Sequence, residues 1–296
     1  MPPLSVPPGV EGIVRLTELP DPAWRDRWER IVLAPGVKER LLNFLVFALR
    51  HRAGLSPVGL PVHGLVVLSG PAGTGKTTLA GGLADEAARV LGGDPLLFVE
   101  VDPHAFPSQL LGESQRSVAR LFERTLPDLA SRGRPVVVLL DEVEALAVAR
   151  ASASLETNPV DVHRATDAVL AGIDHVASVA PNVTFVATTN YPEGVDRAFL
   201  SRADLVEEIG PPGPDAVETI LRDTLRELTA ADGFDPAGLR RLAEACAAVP
   251  LDARRVRKLV LRAICSDRRL ALDPSTVALD DLAAALEVER AASSGR

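Results

Sequence analysis

The sequence predicts an α/β protein in which a parallel sheet, covered by helices on both faces, precedes a smaller helical domain. Three observations carry that expectation. Four short apolar runs, Leu65–Leu68, Leu96–Val101, Val136–Leu140 and Thr184–Thr188, are separated by helical patterns near 76–91, 114–131 and 160–177. Continuous rather than alternating apolarity marks strands buried on both faces, and helices between them imply parallel crossovers. After Gly210-Pro211-Pro212-Gly213-Pro214 no strand pattern remains, and helical patterns run near 214–230, 236–248, 252–268 and 279–292. Lastly, a glycine-rich stretch from Gly70 to Gly75 separates the first apolar run from the helical pattern that follows it.

In chain order, residues 1–22 contain Pro2, Pro3, Pro7, Pro8, Pro20 and Pro22, a density that predicts a tail or an extended strap. Between Val37 and Arg52, the residues Leu41, Leu42, Phe44, Leu45, Phe47 and Ala48 recur at helical spacing, with Arg and Glu on the other face. Gly54, Pro57, Gly59 and Pro61 then break the chain before the first apolar run. Residues 23–210 are expected to form the large α/β domain and 211–296 the small helical one, with Pro211–Pro214 as a hinge. No internal repeat is visible.

Composition narrows the function classes. With 296 residues, 47 % of them apolar, the chain has ample material for a packed core. No apolar run approaches the roughly 20 residues of a membrane span, and the N-terminus lacks the basic and apolar regions of a signal peptide, so a cytoplasmic protein is expected. Cys246 and Cys265, the only cysteines, suit neither a zinc site nor a disulfide framework, and the five histidines are scattered. A net charge of −8 argues against a general electrostatic hold on nucleic acid. The run Arg254-Arg255-Val256-Arg257-Lys258 is a local exception, read most plainly as a solvated helix face.

Chemistry concentrates in three places. Gly70-Pro71-Ala72-Gly73-Thr74-Gly75-Lys76-Thr77 is a complete phosphate-binding loop in the required strand–loop–helix setting, with Thr78 opening the helix. Its glycines let backbone N–H groups turn toward a triphosphate, and the helix N-terminus adds partial positive charge there. Lys76 would reach the β- and γ-phosphates and the Thr77 hydroxyl would hold Mg²⁺. A chance match is unattractive in a chain whose only lysines are Lys38, Lys76 and Lys258. Asp141 and Glu142 directly follow the run Val136–Leu140, where ligands of parallel sheets sit. Asp141 is expected to bind Mg²⁺ and Glu142 to orient and activate water. Asn190 ends the next strand, placed to hydrogen-bond that water or the γ-phosphate; it also suits the turn Asn190-Tyr191-Pro192-Glu193-Gly194.

These elements, in this order, resemble the AAA+ ATPases, which are P-loop NTPases with a helical lid domain. They are most similar to the pachytene-checkpoint family, which remodels HORMA-domain proteins, and to its bacterial relatives beside CBASS antiphage systems. The phrases that carry the resemblance are Gly112-Glu113-Ser114, Asp141-Glu142-Val143-Glu144-Ala145-Leu146, Ala198-Phe199-Leu200-Ser201-Arg202-Ala203-Asp204 and Ile209-Gly210-Pro211-Pro212. The resemblance implies ATP and Mg²⁺ as cofactors and Arg202 as an arginine finger reaching a neighbouring subunit. The active form would then be a homo-oligomeric ring, a hexamer. A surface ion pair with Asp204 is the plain alternative for Arg202. Arg254 corresponds to the lid's sensor arginine, with Arg255 adjacent, and Val32 of Ile31-Val32-Leu33 to the adenine pocket, where core packing is the alternative.

Two departures stand out. Threading relatives place an aromatic residue in the first pore loop, where this chain has Leu110-Leu111, and residues 1–22 are too few for an N-terminal adaptor domain. Ala151–Pro159 falls where a second pore loop would lie. The implied function is ATP-driven remodelling of a protein complex containing a HORMA-domain protein, with no role for a membrane. Two other readings stay open: an AAA+ ATPase acting on nucleic acid (a helicase loader or mobile-element ATPase), and an ATP-gated scaffold without significant turnover.

Overall fold

In the computed structural model, which describes residues 11–56, 58–106, 113–149, 159–229, 234–249 and 251–294, the expected apolar runs form the middle of one six-stranded sheet. Its strands are β1 (Ile13–Leu19), β2 (Leu65–Ser69), β3 (Leu96–Val101), β4 (Val136–Leu140), β5 (Val183–Thr189) and β6 (Leu205–Glu208). Their spatial order is β1-β3-β4-β5-β2-β6. All neighbours are parallel except β1, which runs antiparallel to β3. Every residue of β2, β4 and β5 is buried, as continuous apolar runs require.

Two compact units divide the chain, one made of residues 1–28, 35–70 and 76–208, the other of 29–34, 71–75 and 209–296. In the first, the sheet is accompanied by α1 (Pro22–Glu29), α2 (Val37–His51), α3 (Lys76–Leu91), α4 (Glu113–Arg120), α5 (Leu126–Leu129), α6 (Pro159–Val179) and α7 (Arg197–Leu200). The helix expected over 114–131 is interrupted by a π-helical turn at Leu121–Thr125. Pro127 explains it: a proline has no N–H and its ring crowds the carbonyl four residues back, at Glu123, and the wider turn relieves both. Phe122, inside that turn, stacks on Phe185 of β5 at 5.7 Å between ring centroids and occupies the space a Cβ on Gly172 of α6 would need.

Where a tail or an extended strap is expected over 1–22, Ile13–Leu19 form a paired edge strand. Ile13, Leu16 and Leu19 are buried against β3, with Leu16 opposite Val99 and Leu19 opposite Leu96. The prolines at 20 and 22 lie outside the strand, where they cost no ladder hydrogen bond. Glycine at 81 and 82 of α3 then lets α1 dock: a Cβ on Gly81 would stand 2.3 Å from the Trp24 ring, and one on Gly82 3.2 Å from Trp28. β6 was also missed by the sequence reading, because it is four residues long and only half buried.

A buried arginine fixes the start of β2. The Arg52 guanidinium donates to the carbonyls of Pro181 (3.0 Å), Ala180 (3.4 Å), His63 and Val183. Burial lowers its pKa to about 10. Asp204 completes this end of the sheet, its carboxylate accepting the N–H groups of His63, Gly64 and Leu65 at 3.1, 2.7 and 2.9 Å.

The second unit contains α8 (Pro214–Leu228), α9 (Pro236–Ala247), α10 (Ala253–Ser266), α11 (Arg268–Leu272) and α12 (Leu279–Ser294). Asp235, Asp252 and Asp267 cap α9, α10 and α11 by accepting first-turn N–H groups. Leu221, Leu225, Ala243, Val256, Leu259, Val260 and Leu282 form its core. No helix among the described residues is long and apolar enough to cross a membrane.

Candidate nucleotide site

The loop between β2 and α3 is shaped by glycine. Gly70, Gly73 and Gly75 have φ of 141°, 84° and 92°, values that side chains with a Cβ rarely adopt. Lys76 follows as the first residue of α3, and its side chain is folded inward, with only 5 % of the residue exposed. Its ammonium donates to the carbonyl of Gly70 at 2.7 Å and to Asn190 Oδ1 at 2.8 Å. Burial lowers the Lys76 pKa from its ordinary value, opposed by the charges of Glu144, Asp141 and Glu142.

Thr77 is the next residue of α3. Its hydroxyl lies 2.9 Å from Asp141 Oδ1 and 3.2 Å from Oδ2. Asp141 and Glu142 leave the end of β4, and Asn190 leaves the end of the neighbouring β5, so five expected residues converge at the carboxyl ends of three adjacent strands. Asn190 links them: its Nδ2 donates to Glu142 Oε1 at 3.2 Å while its Oδ1 accepts from Lys76. The donor set fits a nucleotide with Mg²⁺. Among the described residues no group of three or more His, Cys, Asp or Glu is disposed to hold a metal, whereas a hydroxyl and a carboxylate in contact suit an ion that keeps several waters and phosphate oxygens.

Three further residues at this site were not singled out from sequence. Thr188, fully buried, donates to Asp141 Oδ1 at 2.5 Å and accepts the Glu142 N–H at 3.1 Å. Glu144 Oε1 accepts the Asn190 N–H at 3.0 Å, while its Oε2 is buried without a hydrogen-bond partner. His104 Nε2 lies 3.7 Å from Glu142 Oε2. Only the proximity of Thr188 and Glu144 to the expected motifs could have pointed to them. A cavity of about 320 Å³ adjoins the two carboxylates, lined by Val14, Glu100, Val101, Asp102, His104, Leu139, Asp141 and Glu142.

Arg202 lies elsewhere. It precedes β6, and Asp204 binds the amino end of β2, so Arg202 belongs to the end of the parallel strands opposite Asp141 and Asn190. Its partner is Asp174 of α6 rather than Asp204: Nε meets Oδ1 at 2.8 Å, the second fork nitrogen meets Oδ2 at 2.7 Å, and the third donates to the Ala198 carbonyl at 2.9 Å. The hydrogen bonds from Arg202 hold the Asp174 carboxyl below its usual range.

The remaining expected residues belong to the second unit. Val32 is 37 % exposed in the segment after α1. Arg254 is exposed on α10, and Arg255 pairs with the buried Glu289 at 3.2 Å. The pore-loop residues Leu110 and Leu111, and all of 151–158, lie outside the described residues.

Comparison with known proteins gives this arrangement a lineage. Residues 66–211 match the model of the ATPase family associated with various cellular activities (AAA). CD-NTase-associated protein 6 of Pseudomonas aeruginosa is 43 % identical over 279 residues, 93 % of this chain and 91 % of that protein. A pachytene checkpoint protein 2 homolog of Arabidopsis thaliana is 36 % identical over 213 residues, and this match spans 71 % of the chain but 45 % of that longer relative. In fold, the chain superposes on a protein in the structure of the E. coli MS115-1 HORMA:CdnC:Trip13 complex with a TM-score of 0.77 at 21 % identity, covering 95 % of this chain and 97 % of that one. It superposes on C. elegans PCH-2 with a TM-score of 0.75 at 22 % identity, covering 95 % and 77 %. With a full-length relative at this identity, and the phosphate loop and acidic pair both inside the matched region, the chain belongs to the AAA ATPases, in the lineage of CD-NTase-associated protein 6 and the pachytene checkpoint proteins.

Proposed function

We propose that this protein is a ring-forming ATPase that uses ATP hydrolysis to remodel or disassemble a complex containing a HORMA-domain protein, in the manner of a CBASS regulator. The observation that carries the chemistry is the connected set Lys76–Asn190–Glu142 beside Thr77–Asp141, closed by hydrogen bonds at the ends of adjacent strands. The observation that carries the substrate class is near-full-length identity to CD-NTase-associated protein 6, together with the fold shared with a member of a HORMA:CdnC:Trip13 complex. A cytoplasmic ring is the setting of this reading.

The roles follow from residue chemistry. The backbone N–H groups of residues 70–78 cradle phosphates and Lys76 reaches the terminal ones. Thr77 and Asp141 would hold Mg²⁺, which when bound offsets negative charge on the β- and γ-phosphate oxygens. Glu142 accepts a proton from the attacking water, and Asn190, bonded to Glu142 Oε1, keeps that carboxylate and the water aligned. Arg202 supplies positive charge to a neighbour's γ-phosphate. On the second unit, Arg254 makes no ion pair among the described residues whereas Arg255 is engaged by Glu289, which favours Arg254 as the lid's phosphate sensor. Val32 is assigned to the adenine pocket.

Replacing Glu142 with Gln keeps the shape of the site but removes the proton acceptor, so such a ring should bind ATP and stall on its client. Purified from its native host with ATP, and compared with Lys76→Ala, the Glu142→Gln protein is expected to retain a HORMA-domain protein that the control does not. Recovery of nucleic acid instead would favour the helicase-loader reading. Wild-type turnover in Glu142→Gln would remove Glu142 from the mechanism.

A further inference from the structure

We propose that Thr188 is the positioning residue for hydrolysis, its hydroxyl setting the backbone from which both Asp141 and Glu142 project. The inference rests on the reading of Glu142 as proton acceptor.

Register explains why position 188 can do this. Leu140, the last residue of β4, pairs with Ala187 of β5, so Thr188 stands one step beyond the last pair, alongside Asp141. A hydroxyl has one proton and two lone pairs, and Thr188 uses both kinds of site at once, donating to Asp141 Oδ1 and accepting from the Glu142 N–H.

The second bond matters more. Glu142 has φ 52° and ψ 52°, and among the described residues no other residue with a side chain has positive φ. Such a conformation is sparsely populated and persists where the surroundings hold it. Here the Glu142 N–H, two residues past the last ladder pair, is received by the Thr188 hydroxyl of β5. The carboxylate is thereby delivered to within 3.2 Å of Asn190 Nδ2. Without an acceptor at 188 only the Glu142 carbonyl stays tied, by the Ala145 N–H at 3.0 Å, and the amide end of the residue is released, so that Glu142 swings off the water it serves.

A rival account is that Thr188 is simply a β-branched residue filling a buried strand position. Valine has the same shape and lacks the hydroxyl; serine keeps the hydroxyl and lacks the methyl group. The experiment compares T188V, T188S and E142Q in the full chain by steady-state ATP hydrolysis, affinity for a fluorescent ATP analogue, and melting temperature. T188V is expected to lower kcat roughly 10- to 100-fold, the usual cost of losing a supporting hydrogen bond behind a reacting group. KM and analogue affinity should move less than about threefold, because transition-state rather than ground-state interactions are lost. T188S should restore kcat to within about threefold of wild type. If T188V keeps wild-type kcat, or if T188S falls as far as T188V, the hydroxyl has no such role and the proposal is wrong. If T188V does not melt cooperatively, T188A against T188S is judged by the same criteria. Should E142Q keep its turnover, the underlying reading of Glu142 fails instead, and that result is separate from either outcome at 188.

Discussion

Cys246 shows how burial alone sets the chemistry of a side chain. It lies fully buried in the core of the second unit, and desolvation pushes its thiol up to about 11 from an ordinary 9.0. The unfolded chain would release that proton near pH 9 and the folded chain near 11. A raised acid contributes stability that is complete below the lower value and is lost as pH climbs to the higher one. Melting temperature should therefore decline between pH 9 and 11, and Cys246→Ala should flatten that part of the profile while leaving a cavity penalty at neutral pH. A thiol reagent at pH 8 should modify the exposed Cys265 and spare Cys246 until denaturant is added; equal reactivity would mean that this core opens readily. The same scale shows what sequence can and cannot tell. Lys76, Thr77, Asp141, Glu142 and Asn190 were legible because each belongs to a short motif whose backbone setting is local. Asp174 and Thr188 were not, since their partners lie 28 and 47 positions away and meet them only after the sheet has formed.

Among the elements, β2, β4 and β5 were legible because they are buried along their whole length and mostly apolar, whereas β1 and β6 sit at the edges and carry polar residues on a solvated side. Proline density over residues 1–22 hid β1, although its seven residues contain no proline. The docking of α1 shows the same dependence on distant partners. Trp24 packs edge-on to Phe98 at 6.0 Å between centroids, with the Arg27 guanidinium 4.8 Å from its ring, and both tryptophans rest on the Gly81-Gly82 face of α3. Gly81→Ala would gain about 1 kcal/mol of helix propensity, yet its methyl group collides with the indole, and overpacking of this kind costs roughly 1–3 kcal/mol. Because α1 has no fully buried residue, the cheaper response is for the helix to lift away. The expected result is a lower melting temperature together with a red shift in fluorescence, read cleanly because Trp24 and Trp28 are the only tryptophans. An unchanged spectrum with a higher melting temperature would mean that α1 is not seated on α3.

At the scale of the whole molecule, the catalytic role proposed for Arg202 requires a second copy of the chain. The phosphate loop, Asp141 and Asn190 occupy the carboxyl ends of the parallel strands, while Arg202 sits before the amino end of β6, beside Asp174. The five residues of β2 separate those ends by about 13 Å at a rise of roughly 3.3 Å per residue. An arginine tied to α6 by two fork hydrogen bonds does not cross that span to its own site, so a catalytic Arg202 must serve a neighbour. Head-to-tail contacts of that kind close into rings when the rotation allows. The consequence is complementation. Arg202→Ala and Glu142→Gln should each be nearly inactive alone, because every interface then lacks one half of the machinery. Co-expressed in equal amounts and purified through two tags, they form interfaces at random, and about a quarter of these pair an intact Glu142 with an intact Arg202. Mixed rings should recover up to that share of wild-type hydrolysis. If Arg202 acted within its own chain, no mixture could recover anything, since each protomer would carry its own defect to every site.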